Sequence, residues 1–426
     1  MTQVLAGAIF LGVYLLIVTE RVHRTLAALL GASAVLLLGL LTQQEAFSED
    51  VTDFNVIFLL AGMMIIANIL GKTGIFQWLA VEAIRRARGE PYRLLVATSV
   101  VTAVVSAFLD NVTTVVLLTP ITFFMAQRLR ASPVPFLVSQ VIASNIGGTA
   151  TLIGDPPNIL IGSRLGKDFN DFLLNLTPTV VVALVAYLVL ARWLFRADLR
   201  AASALQPDDL ERLVREESRI ADPRLMRQSL AVLGLTILGF LVSRPLHLEA
   251  ATIALSGAVI LMIVAKEDVH DVLRGVEWPT LFFFVGLFIV VGAVVKAGII
   301  RAIADGAIAL TGDNVLVASF LVLWLSALLS AIVDNIPYTL TMIPLVQELG
   351  QHLDVEPLIW ALALGANLSG NATLIGASAN VVVASMSEAR GAPITFRLFL
   401  RYGVPATLLT MAVATIDVWV RYLVVR

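Results

Sequence analysis

Apolar runs of roughly 15–20 residues recur from one end of the chain to the other, separated by short polar stretches. A run of ~20 apolar residues is the length that crosses a bilayer as a helix. The pattern predicts helices near 3–19, 26–42 and 54–71. A shorter segment follows, Gly74 to Arg88, whose basic end reads as interfacial. An apolar run at 94–109 is interrupted at Asp110-Asn111 and resumes over about 112–127. The next helix begins near Pro135, breaks at Asn145-Ile-Gly-Gly-Thr149 and resumes after Pro157, and a last one covers about 173–195. The first apolar run starts at Val4 without a basic leader, so it reads as a retained helix and not as a signal peptide.

The same pattern then repeats. Thr25 to Gly31 finds an echo in Ala251 to Gly257, an offset of 226 residues. Gly62, Lys72 and Gly74 match Gly286, Lys296 and Gly298 at 224, as do Ser106, Asp110, Asn111 and Pro120 with Ser330, Asp334, Asn335 and Pro344. Asn145, Gly148, Thr151, Gly154 and Asn158 match Asn367, Gly370, Thr373, Gly376 and Asn380 at 222. Phe172 and Pro178 match Phe399 and Pro405 at 227. Ordered offsets that drift by a few residues mean one duplication with small loop changes. The organisation expected is a first repeat over 1–195, a linker over 196–226 rich in Arg, Asp and Glu, and a second repeat over 227–426.

Loop charge gives the orientation, because cytoplasmic loops carry excess Lys and Arg. With the N-terminus outside, Arg21-Val-His-Arg24 lies inside and the acidic Gln44–Asp53 loop outside. Arg85 to Arg93 is then inside, and so are Arg128 and Arg130 if 94–127 is a re-entrant hairpin with its tip at Asp110-Asn111. Five crossings bring the chain to Arg196 and a cytoplasmic linker, so the second half enters with opposite orientation. Its hairpin (317–350) dips from outside, and its broken helix exits inside at Arg390, Arg397 and Arg401. The expectation is an all-α polytopic membrane protein of two inverted-topology repeats, each with a re-entrant hairpin and a broken transmembrane helix.

Composition agrees and narrows the chemistry. The 426 residues are 58% hydrophobic and 14% charged, with mean hydropathy +0.91, against about 25% charged in soluble domains. There is no cysteine, which excludes disulfides, zinc thiolates and Fe–S clusters. The four histidines, His23, His247, His270 and His352, fall in or beside loops, so no metal or cofactor site is expected. An intramembrane hydrolase would need a nucleophile with its base, or a His/Glu metal set, and neither is visible. The net charge of −2 names no partner and gives no sign of nucleic-acid binding.

Broken helices survive in a bilayer only where they are buried or line a cavity, and inverted repeats place a solute site at such breaks. Four breaks are expected: 110–114, 145–151, 334–339 and 367–373. The candidate solute-binding residues are Asn111, Thr113, Thr114, Asn145, Gly148, Thr149, Thr151, Asn335, Tyr338, Thr339, Asn367, Gly370, Asn371 and Thr373. Their amides and hydroxyls both donate and accept, and half-helix N-termini add partial positive charge. Asp110, Asp334 and Asp155 are the candidates for proton or ion coupling, since an intramembrane carboxylate is costly and usually functional. Each also suits a helix cap; for Asp155, in Gly154-Asp-Pro-Pro-Asn158 with Ala377 as its repeat mate, capping is the leading reading. Lys72 and Lys296 fall at helix ends and are expected to snorkel. No Arg or Lys occurs within any break, so a multiply charged anion would need co-bound cations.

Phe108-Leu-Asp-Asn-Val-Thr-Thr114 with Thr119-Pro120, and the long run Ser144 to Ile159, resemble the ion-transporter superfamily, within it the arsenite-efflux permease and P-protein branch. The resemblance spans essentially the whole chain, although Pro337-Tyr338 departs from the Thr113-Thr114 of the first half. It implies a scaffold, a transport domain with two hairpins, elevator-like alternating access, and arsenite or antimonite efflux by proton antiport across the inner membrane. A sodium/proton antiporter or sodium-coupled anion carrier is the alternative within the same fold. A cytoplasmic ATPase subunit or a second copy of the chain are the protein partners to consider. Arsenite recognition without cysteine would have to use mixed donors and acceptors, which the Asn and Thr residues at the breaks supply.

Overall fold

The computed structural model describes residues 2–19, 21–202, 220–312 and 314–424, and every regular element among them is helical. Residues 203–219 of the expected linker lie outside the described residues. What is described there is a short helix, Arg196–Ala201, and the start of the next long helix, which opens at Pro223 behind an Asp222 cap and not at 227.

Leaving the shortest helices unlabelled, nine precede this stretch. They are α1 (Thr2–Thr19), α2 (Arg24–Leu37), α3 (Phe54–Gly71), α4 (Ile75–Arg86), α5 (Pro91–Ser106), α6 (Asn111–Arg128), α7 (Val134–Gly148), α8 (Pro156–Leu165) and α9 (Phe169–Leu194). Nine follow it: α10 (Pro223–Leu241), α11 (Ala250–Ala265), α12 (Trp278–Lys296), α13 (Ile299–Thr311), α14 (Val315–Ser330), α15 (Asn335–Leu349), α16 (Val355–Ser369), α17 (Ser378–Glu388) and α18 (Phe396–Val418). The two sets run in the same order, and their local chemistry matches. Gly74 and Gly298 open α4 and α13 at φ +81° and +76°, in the left-handed region that favours glycine. Pro120 and Pro344 lie inside α6 and α15, Pro178 and Pro405 inside α9 and α18.

One helix is shorter than its apolar run predicts. The run 26–42 yields α2, which ends at Leu37, because Gly39 turns the chain at φ +66° and Leu40 and Leu41 fold back into the interior. Its 14 residues span about 21 Å, less than the ~30 Å of a hydrocarbon core. Among the described residues, six helices are long and apolar enough to cross a membrane: α1, α3, α9, α10, α12 and, with the turn that extends it, α18.

The helices pack as two bundles, each drawn from both sets. In the first, α2 lies on α12 and α3 on α11, with α1 and α10 outside them. In the second, α5 packs on α7, α14 on α16 and α9 on α18, while α8 reaches across to α15 and α17 to α6. The contacts of the first bundle are reciprocal to a fine degree. A Cβ added to Gly62 would lie 2.7 Å from the Ala254 carbonyl carbon, and one added to Gly286 would lie 2.7 Å from that of Ala28. Small residues that let backbones meet are what drives helix association inside lipid, where apolar burial gives no net gain. Lys72 and Lys296 do more than snorkel: Lys72 pairs with Glu267, and Lys296 with Glu45 at 2.6 Å, each reaching a loop of the other set.

Candidate functional site

The four expected breaks come together where the second bundle meets the first. Asp110 ends the α5–α6 tip and accepts from the Thr113 N–H at 2.9 Å. Asp334 ends the α14–α15 tip and accepts from the Ile336 N–H at 3.1 Å. Both therefore cap the helix that follows them, and Thr113 serves through its backbone.

Asp155 does not. Pro156 and Pro157 at the first two helical positions have no N–H to offer, and the N–H of the third, Asn158, goes to the Asp155 backbone carbonyl at 3.0 Å and not to its side chain. The freed carboxylate, 1% exposed, accepts instead from the Asn111 amide at 3.2 Å and the Asn335 amide at 3.5 Å. The matched asparagines of the two tips thus converge on one carboxylate that only the first half supplies.

Behind this junction lies a buried asparagine network. Asn145 donates to Asn380 at 3.0 Å, and its counterpart Asn367 donates to Asn158 at 2.7 Å. Asn158 and Asn380 in turn donate to the carbonyls of Thr151 and Thr373, at 2.8 and 2.9 Å, fixing the unwound segments. Asn145 also donates to Asn371 at 3.0 Å and accepts from Asn111 at 3.3 Å. The Thr149 hydroxyl bonds the Asn145 carbonyl at 2.8 Å, and the hydroxyls of Thr151 and Thr373 reach the carbonyls of Ala107 and Ala331 in their own tips. Gly148 and Gly370 let the break close on Gly154 and Gly376; a Cβ on Gly148 would sit 2.8 Å from the Gly154 oxygen. Thr114 Oγ1, Thr339 Oγ1, Asn367 Oδ1 and Asn371 Nδ2 are buried and find no hydrogen-bond partner among the described residues. Tyr338 turns away from the junction, its hydroxyl donating to Ser326 within its own hairpin at 3.0 Å.

Residues outside the breaks complete the site. Arg24, at the start of α2, pairs with Asp334 at 3.2 Å, bonds Ser378, and lies 5.4 Å from the centre of the Phe283 ring. Ser378 also donates to Asp334 at 2.9 Å. So although no break contains a cation, the fold brings one to a break. Arg24 belongs to a cluster whose sequence signal is topological, which hides its local role. Glu277 and Thr280, at the start of α12, face Asp110 and Asp155 across a cavity of about 20 Å³ that Arg24, Asn335 and Ser378 also line. That is room for about one water-sized species. Arg24 and Ser378 also bound a wider cleft of about 350 Å³, walled by Ile332, Val381 and His23, which opens beside the 21–24 loop. The signal for Asn158 and Asn380 was present, since they are matched in the repeat. Glu277 had only its match to Asp53, the cap of α3. Among the described residues no three His, Cys, Asp or Glu side chains are placed to hold a metal ion.

Long apolar helices in two interlocked bundles, with unwound polar segments buried between them, define a multi-pass membrane transporter. The chain belongs to the citrate transporter family, CitMHS, whose family pattern matches residues 14–365. An uncharacterized transporter of Mycobacterium tuberculosis is 45% identical over 433 residues, 99% of each chain. The human P protein is 34% identical over 509 residues, which takes in all of this chain and 60% of the P protein. The crystal structure of the YdaH transporter from Alcanivorax borkumensis, described as having an unusual topology, shares the fold with a TM-score of 0.59 at 15% identity, over 96% of this chain and 98% of that one.

Proposed function

We propose that this chain is a proton-coupled secondary transporter for a small solute of little or no negative charge, with arsenite or antimonite as the first substrates to test. The observation that carries the proposal is the junction itself: Asp155 bonded to both tip asparagines in a cavity of about 20 Å³, with Asp110 and Glu277 beside it. Its one guanidinium, Arg24, is already paired with Asp334. A multiply charged anion would meet repulsion from these carboxylates, whereas a proton in the small cavity, or an uncharged trihydroxide in the adjoining cleft of about 350 Å³, would not. The P-protein relatives support the branch to which the break motifs point.

In this reading the first bundle is a fixed scaffold, and the second carries the solute by an elevator-like movement. The halves are taken as inverted repeats about an axis in the membrane plane, and the reciprocal pairs Gly62–Ala254 and Gly286–Ala28 support a two-fold relation between them. With the N-terminus outside and the short helix Arg196–Ala201 on the cytoplasmic side, the cleft beside Arg24 would open inward. Arg24, Asp334 and Ser378 then form the partition between cleft and cavity.

A second reading, a sodium/proton antiporter, draws on the same carboxylates. The deciding experiment measures arsenite uptake into everted vesicles under an imposed pH gradient, with and without sodium. Uptake driven by the proton gradient alone is expected. No arsenite movement, or strict dependence on sodium, would sink the first reading.

A further inference from the structure

Glu277 belongs to no break and caps nothing: it makes no side-chain cap bond at the start of α12, and among the described residues it accepts only from the Thr280 hydroxyl, at 3.2 Å. Yet it lines the same small cavity as Asp110 and Asp155. The three stand on opposite sides of the boundary between the bundles, Glu277 on the first and Asp110 and Asp155 on the second. The charged groups that act on Glu277 are Asp110, from the α5–α6 tip, and Arg24, from α2. Asp155 in turn feels Asp334 and Asp110. Arg24 is held by Asp334 and Ser378 and, among the described residues, faces four carboxylates alone, so full ionisation would leave the junction with three uncompensated negative charges. The loop leading into α12 adds no cation toward the cavity, since Arg274 pairs with Asp271 and is exposed.

From this we propose that Glu277 is a like-charge brake that ties the movement of the second bundle to protonation. With Asp110 and Asp155 neutralised, the second bundle docks against Glu277 as seen here. With them ionised, repulsion across a cavity too small for much screening water expels the bundle from this position. A carrier so built cannot return empty and deprotonated to the docked state, which is the slip that would uncouple solute from protons. Glu277 is then a positioning residue: it holds neither solute nor proton in transit, but sets which protonation state may dock. The inference rests on the elevator reading above, and not on the identity of the solute.

The test exploits the absence of cysteine. Spin labels are placed on Gln43→Cys, in the exposed loop helix of the first bundle, and His352→Cys, in the exposed loop after α15. Their distance distribution is followed against pH in lipid nanodiscs. In the otherwise wild-type protein the docked distance should lose population as pH rises. Glu277→Gln should keep the docked population about tenfold higher at the alkaline end, the effect of removing like-charge repulsion across the boundary, and Glu277→Asp should restore the wild-type profile. An unchanged profile in Glu277→Gln, with movement intact in the parent, overturns the brake alone. A parent whose distances never change overturns the brake and the elevator reading together. Arsenite takes no part in the readout, so the brake can be tested whatever the solute is.

Discussion

The two halves of the molecule agree where they hold each other and differ where solute and protons would bind. Gly62 on Ala254 and Gly286 on Ala28 make the same contact at the same 2.7 Å. The amide bonds Asn145 to Asn380 and Asn367 to Asn158 are likewise one bond made twice. At the tips the match ends. Asp334 has Arg24 and Ser378, while Asp110 has neither; Asp155 answers to Ala377, and Arg24 to Ala250. In the proposed carrier, such reciprocal packing would let the two halves exchange roles between two arrangements. One carboxylate and one guanidinium without a like repeat mate, Asp155 and Arg24, make the centre asymmetric.

The strongest test of that difference is at the tips. Asp110→Asn is expected to cut pH-driven solute movement at least about tenfold, while binding of the solute changes little. Asp334→Asn removes the partner of Arg24 and is expected to weaken binding and folding as well, because breaking a partly buried pair leaves its other member uncompensated. Flux under a pH gradient, set against equilibrium binding in detergent, separates the two outcomes. Equal effects on both quantities would mean that the tips are interchangeable and the asymmetry is incidental. A wild-type pH profile in Asp110→Asn would leave that residue a helix cap only.

Reciprocal packing can be tested by stability. Gly62→Ala and Gly286→Ala each drive a Cβ to 2.7 Å from facing backbone, which must shift. Overpacking of this kind costs about 1–3 kcal/mol, and the two losses should agree. Thermal unfolding in detergent reads both. A large loss in one and none in the other would show that the first bundle is not reciprocal in energy, whatever its geometry.

The buried amides come next in size. Asn158→Ala frees the Thr151 and Thr149 carbonyls and the Asn367 amide; Asn380→Ala frees the Thr373 and Gly370 carbonyls and the Asn145 amide. Each loss leaves buried groups unmade at about 1–3 kcal/mol, again nearly equal. The same variants should loosen solute binding, since the unwound segments lose their internal tie.

How these features stood in the sequence follows a physical line. Duplication was legible because both halves must satisfy the same unwound backbone, and only Asn, Thr and Gly at fixed spacing do so. The two tip carboxylates were legible for the same reason. The partners of Asp155, Asn111 and Asn335, were not, although the two prolines that leave it a single N–H within capping reach were in view. Arg24 and Glu277 were missed because they reach the site across a bundle boundary, and no local spacing encodes that meeting. The short α2 was missed because hydropathy counts Leu40 and Leu41 as span, while Gly39 turns them inward.

The smallest expected effects are at the rim, and there the comparison is closest. Lys72–Glu267 and Lys296–Glu45 are the same pair in the two halves, each lysine closing a loop of the opposite set. Both lysines are nearly half exposed, at 44% and 48% of the side chain, so solvent screens them and little stability is expected from either. The Lys296 ammonium, helped by Thr42, holds the Glu45 carboxyl down from 4.5 to about 2. A depressed carboxylate stabilises the fold above its unfolded value and ceases to do so as pH falls toward the folded one. Lys296→Met should therefore lower Tm by only about one or two degrees at neutral pH. The difference from wild type should shrink between pH 4.5 and about 2, and high salt should erase it at any pH. Lys72→Met should match it at neutral pH if the loops are held alike. A drop several times larger in either variant would mean that the loop it closes is part of the moving boundary and not its frame.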